Sequence, residues 1–327
     1  FKQKTAYEIS LGLVGSEMCI RDRVINQGQD QVILHYMSYL ALSLVISSAL
    51  IHPIWNFLLK RGRNHNIFIW LAAICSGIFF IPLGIALYPQ HPVNLSGWLY
   101  ITGTIILHAL YFTLLGRSYS KANLSFVYPI VRGSGAALVP ILGVIIFGEL
   151  VSLGAVFGIL AIVVGIYTIY LWGRVSYIFY NPVRMLNDPG NISAILTGLT
   201  TAAYTLWDKA GVAHVTPLLY MYFMFLGTGL LLSPYMVFRH GVQAILRELK
   251  LNKLSILAVG ILMCVSYGFV LSALQLSKVS YIAPVREVGI VIGVLLGSLF
   301  LEESYTTGRI IGSLLIVLGV VLISVSP

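Results

Sequence analysis

Two arginines stand where arginines are costly. Arg132 and Arg286 each lie inside a long apolar run, three and two residues after a proline, Pro129 and Pro284. A charge at membrane depth costs roughly 2.5–3.5 kcal/mol on insertion scales, so each marks a candidate solute pathway. A proline just upstream withdraws one amide from the helix ladder and can turn backbone carbonyls toward a cavity. The planar guanidinium fork suits a carboxylate or phosphate, so the chemistry these residues offer is the holding of an oxyanion. The alternative is that each arginine reaches the interface or pairs structurally, for instance with Glu287. That glutamate is the one acid well inside its run, and it suits charge compensation of Arg286 or the binding of a coupling proton.

Other polar side chains lie in apolar runs. His52, Trp55 and Asn56 fall within little more than one helical turn, and His108 and Tyr111 share a face at a spacing of three. Tyr204, Trp207 and the adjacent Asp208 and Lys209 add a third group. Each is a candidate lining of a solute pathway, against the alternatives of helix–helix hydrogen bonding, interfacial anchoring or a buried or interfacial Asp208–Lys209 pair. Glu149 and Glu303 are expected to cap helix starts. No nucleophile elbow, metalloprotease motif, phosphate loop or cysteine–histidine cluster occurs, so no enzyme activity, cofactor or metal is expected.

The elements that must position these residues are membrane spans. With 58% hydrophobic and 9% charged residues, against roughly 25% charged in soluble domains, the chain cannot build a water-facing surface. The fold class expected is all-α integral membrane, with ten spans near 38–58, 67–87, 97–116, 124–147, 152–172, 192–212, 217–238, 254–276, 280–301 and 307–325. The formal charge of +9 is spread through the breaks between runs, which speaks for topology and against nucleic-acid binding. Residues 1–23 have a different texture, with seven charged residues, and resemble the translation of a sequencing-library adaptor. They are set aside from the fold.

An internal repeat organises the rest. A shift of 154 residues places Arg132 on Arg286, Gly135 on Gly289, Leu142 and Gly143 on Leu296 and Gly297, and Glu149 on Glu303. It continues through Gly154 on Gly308, Gly158 on Gly312 and Gly165 on Gly319, with eleven identities over 34 positions in all. The chain therefore reads as two five-helix units, 38–172 and 192–326, joined by a linker at 173–191. Because five is odd, the second unit enters the membrane from the opposite side. The loops agree: in the first unit Lys60, Arg61, Arg63, Arg117 and Lys121 follow spans one and three, whereas in the second Arg239, Arg247, Lys250, Lys253 and Arg309 follow spans two and four. This bias puts both termini outside. Gly289, Gly293 and Gly297 at spacing four, and Gly154 with Gly158 repeated as Gly308 with Gly312, are expected to pack helices closely.

A proline-containing fourth helix, an acid at the loop into the fifth and a glycine-spaced fifth helix, seen twice, resemble the EamA-type repeat of the drug/metabolite transporter superfamily. The resemblance covers roughly residues 38–326. It implies a ten-helix secondary carrier for a small polar metabolite, such as an amino acid or organic acid, exporting it across the inner (plasma) membrane by alternating access. Members are usually drawn with cytoplasmic termini, against the charge bias here. An importer of an anionic solute is the alternative the arginine pair motivates, and an integral membrane enzyme is a third reading. The partners expected are the small-molecule solute and the bilayer, with a homodimer as a candidate assembly and no nucleic acid.

Overall fold

The computed structural model describes residues 37–59, 62–121, 124–172, 189–301 and 307–326. Residues 1–23, most of the linker 173–191, and Lys60, Arg61 and Glu303 lie outside them. The described chain is all-helical: α1 (Tyr39–Leu59), α2 (His65–Phe79), α3 (Ile81–Leu87), α4 (Leu95–Lys121), α5 (Leu124–Phe147), α6 (Leu153–Leu171), α7 (Pro189–Gly211), α8 (Pro217–His240), α9 (Val242–Leu276), α10 (Val279–Val285), α11 (Val288–Leu301) and α12 (Thr307–Val325).

Local chemistry sets these boundaries. Asn64 caps α2, its side-chain oxygen accepting from the amides of Asn66 and Ile67, and Ser152 caps α6 by accepting from Ala155. Proline begins α8 at Pro217 and stands in the first turn of α3, after a 45° bend between α2 and α3. Asn252 departs from helical geometry and kinks α9.

Six of these helices, α1, α4, α6, α8, α9 and α12, are long and apolar enough to cross a bilayer, and α2 with α3 makes a seventh if counted as one bent span. This is fewer than the ten apolar runs expected from sequence. Among the runs not counted, α7 is rich in threonine, and the run near 280–301 is split into α10 and α11 at Arg286 and Glu287. The α7 threonines satisfy themselves, since Thr197, Thr200, Thr201 and Thr205 each donate to the carbonyl four residues back, at 2.6–2.9 Å. Around the outside, large apolar side chains such as Ile145 at 71% and Leu314 at 65% exposure face outward. In water such a surface would be an aggregation liability, but against acyl chains it is the favourable one.

Helices in matching places of the two halves pack against each other in antiparallel register. Along α6 and α12, Gly158 approaches the Gly319 carbonyl and Gly165 that of Gly312, so numbering rises on one helix as it falls on the other. A Cβ on any of these four glycines would lie 2.5–2.7 Å from the partner's carbonyl oxygen, closer than real Cβ atoms come. Between α2 and α8, Trp70 donates to the Gly229 carbonyl at 2.9 Å while Gly77 meets Leu226, again in opposite order. α5 meets α10 and the break after it likewise, with Arg132 at Glu287 and Gly143 at Ser280. The first helix of each half instead meets the third of the other: Ser48 of α1 bonds Ser266 of α9 at 2.9 Å, and Trp207 of α7 bonds the Tyr100 carbonyl of α4 at 2.9 Å.

The two ends of the bundle differ in charge. At one end Glu248 accepts from the amides of Arg63 and Asn64 at 3.2 and 3.3 Å, which brings the α1–α2 loop against the α8–α9 corner and gathers Arg63, Arg239, Arg247, Lys250 and Lys253. At the other, Lys209 donates to the carbonyls of Leu274 and Ser277 at 2.7 and 2.8 Å, and Lys278 to that of Leu150 at 2.7 Å.

Candidate functional site

The break between α10 and α11 positions the site. Pro284 lies within the short helix α10, whose amide ladder ends as Arg286 donates to the Ile282 carbonyl and Glu287 to that of Pro284. Helix α5, its counterpart, runs on unbroken. The sequence difference at the matching position is Gly133 against Glu287. Discontinuous helices of this kind place backbone and charge at a cavity in many carriers.

Arg286 and Glu287 open onto a small cavity of about 30 Å³. Its walls come from both halves: Tyr111 of α4, Arg132 and Gly135 of α5, Thr201, Tyr204 and Thr205 of α7, and Val270 and Leu274 of α9. Arg132 Nε lies 2.8 Å from Glu287 Oε2, both side chains largely buried. Adjacency in sequence suggested Arg286 as the partner of Glu287, whereas the ion pair joins the two halves. Arg132 Nη1 also lies 3.5 Å from His52 Nε2. Arg286 has no carboxylate within ion-pair distance among the described residues, although Glu287 lines the same cavity.

The remaining candidates surround the cavity at varying depth. Tyr111 and Tyr204 line it, and their rings meet edge to face at 5.4 Å. His108 stands behind Tyr204 with ring centroids 4.3 Å apart, and its Nδ1 lies 3.0 Å from the Thr104 carbonyl. His52 packs edge-on against Trp55 at 4.6 Å, and the Asn56 amide donates to the His52 carbonyl of its own helix at 2.9 Å. Trp207 lies over Gly103, away from the lining. Asp208 is fully buried, accepting from the hydroxyls of Tyr220, at 2.8 Å, and Tyr267. Lys209 turns to the α9 carbonyls, so the two neighbours form no pair with each other. Glu149 caps α10 of the other half: its oxygens accept from the amides of Val279 and Ser280 at 2.8 and 2.9 Å and from the Ser280 hydroxyl. Glu303 falls outside the described residues.

The glycine candidates divide. Gly158 and Gly312 sit in the α6–α12 crossing, Gly154 faces Ser326, Gly308 faces Trp172, and Gly289 lies against the Ala49 backbone. Among the described residues Gly293 has only Pro53 near it, at 4.0 Å. The surroundings of Gly297 are outside the described set. Sequence reasoning passed over Thr201 and Thr205, which line the cavity, and Tyr220 and Tyr267, which hold Asp208. The four-residue threonine spacing on an otherwise apolar helix was the available signal.

Comparison with known proteins agrees with this architecture. The family model of the EamA-like transporter family matches residues 188–325, and that of the small multidrug resistance proteins matches residues 93–162. The multidrug resistance protein EbrB of Bacillus subtilis (strain 168) is 38% identical over 66 residues, or 20% of this chain. The match spans 56% of that relative's own length. A solved crystal structure superposes with a TM-score of 0.65 over 87% of this chain and 97% of its own, at 15% identity, a likeness of fold alone. Multi-pass and rich in apolar helices, the chain matches the EamA-like transporter model along its second half and the small multidrug resistance model within its first, a pattern consistent with a membrane transporter of the drug/metabolite transporter superfamily.

Proposed function

We propose that the protein is a secondary carrier that moves a small polar solute bearing a carboxylate or similar anionic group by alternating access, in the exporting direction, across the inner (plasma) membrane. The observation that carries this reading is the broken span at Arg286, whose guanidinium faces a cavity built from both halves and lacks a carboxylate partner among the described residues. A solute carboxylate would give Arg286 a direct ion-pair partner in a bidentate contact, with Thr201, Thr205 and the Tyr111 and Tyr204 rings framing its remainder. The Arg132–Glu287 pair cancels its own charge and ties the halves together.

The antiparallel contacts of α6 with α12, α2 with α8, and α5 with α10 support two inverted five-helix units, with 38–172 and 192–326 as their bounds. Such a pair of units can exchange conformations about a central site. Transport of amino acids, organic acids and phosphonates in proteoliposomes, with and without a proton gradient, tests the reading. Movement of at least one anionic class by the wild type, lost in Arg286→Gln, is the expected result. A wild type inert toward every anionic solute, but active on a cationic drug, would replace it with a drug-efflux reading, which the likeness to EbrB favours.

A further inference from the structure

We propose that the corner between α8 and α9 is a docking surface for anionic phospholipid. Between Val242 and Asn252 the chain forms a surface helix, set off from the body of α9 by the kink at Asn252. Its outward stripe alternates cations and leucines, Leu246, Arg247, Lys250 and Leu251, all exposed, and Arg239 and Lys253 flank it, exposed as well. An interfacial helix works this way, with leucines entering the acyl boundary and cations meeting phosphates at the headgroup level.

What sets this corner apart from an ordinary basic loop is the fate of its acid. Glu248 is 3% exposed and turned inward, where it accepts from the amides of Arg63 and Asn64 and from the Asn252 side chain at 2.8 Å. Asn64 further meets His240, its amide nitrogen 3.4 Å from the ring nitrogen. The carboxylate that would neutralise the stripe is thus consumed in fastening the helix to the α1–α2 loop. One interaction removes the negative charge from the surface and fixes the helix that carries the positive charges. None of the four cations is in an ion pair among the described residues. A pre-fixed cationic stripe flanked by leucines matches the surface of a bilayer containing acidic phospholipid, which adjoins it in any membrane-inserted state.

The test uses the full chain in detergent, titrated with phosphatidylglycerol and, as the zwitterionic control, phosphatidylcholine, with bound lipid counted by native mass spectrometry. Phosphatidylglycerol is expected to bind more tightly than phosphatidylcholine. Neutralising the stripe in R247Q/K250Q/K253Q should cost on the order of tenfold in its apparent affinity, and the charge-preserving R247K/K250R/K253R should retain it. Equal binding of the two lipids by the wild type, or undiminished phosphatidylglycerol binding by the neutralised variant, would overturn the proposal.

Discussion

At the scale of single residues, Arg132 and Arg286 occupy equivalent places in the repeat and do different work. Arg132 is spent on Glu287, while Arg286 faces the cavity. Breaking a buried ion pair leaves an uncompensated charge, at a cost of about 3–5 kcal/mol. Glu287→Gln is therefore expected to lower the thermal melting point sharply, and Arg132→Gln with Glu287→Gln together to destabilise less than the two single effects summed. A double-mutant cycle on melting temperature measures that coupling; additive effects would show the pair to be energetically idle. The arginines were legible in the sequence because ionisable groups in apolar runs are rare. Their division of labour was not, because it depends on which of two cations a glutamate on another helix reaches. Asp208 shows the same limit: its neighbour Lys209 is one residue away in sequence, yet its partners are tyrosines 12 and 59 residues distant.

At the scale of elements, the glycines separate contact from mere spacing. Gly158, Gly165, Gly312 and Gly319 bring two backbones together with no room for a Cβ, whereas Gly293 has ordinary space around it. Gly165→Val or Gly312→Val should cost at least about 1–3 kcal/mol through overpacking, read as loss of melting temperature or of folded yield, and Gly293→Ala should be close to neutral. Equal tolerance of all three would remove the α6–α12 crossing as a structural keystone. The repeat offset made this crossing legible in part, since it paired Gly158 with Gly312 and Gly165 with Gly319. It could not show that Gly158 meets Gly319 in space, because the two helices cross in opposite order. The broken span at Arg286 was equally hidden: Pro284 announced a bend, but Pro129 announces the same in α5, which runs on.

At the scale of the whole molecule, charge and packing point to one topology. The loop at 62–64 and the α8–α9 corner meet at one end of the bundle, and both are basic. The other end, with the Lys209 and Lys278 contacts, carries few cations, each donating to backbone carbonyls. By the positive-inside rule we propose that the first end is the cytoplasmic one. Single cysteines at Arg63 and Lys250 are expected to resist a membrane-impermeant thiol reagent in intact cells, while one at His91 or His214 reacts; the reverse pattern would invert the assignment. Passage of an anionic solute by way of Arg286 is tested by proteoliposome uptake compared between wild type and Arg286→Gln. Uptake of a carboxylate- or phosphonate-bearing solute that falls to the level of empty liposomes in the variant is the predicted result. Uptake of the same solutes at an unchanged rate in Arg286→Gln would contradict it.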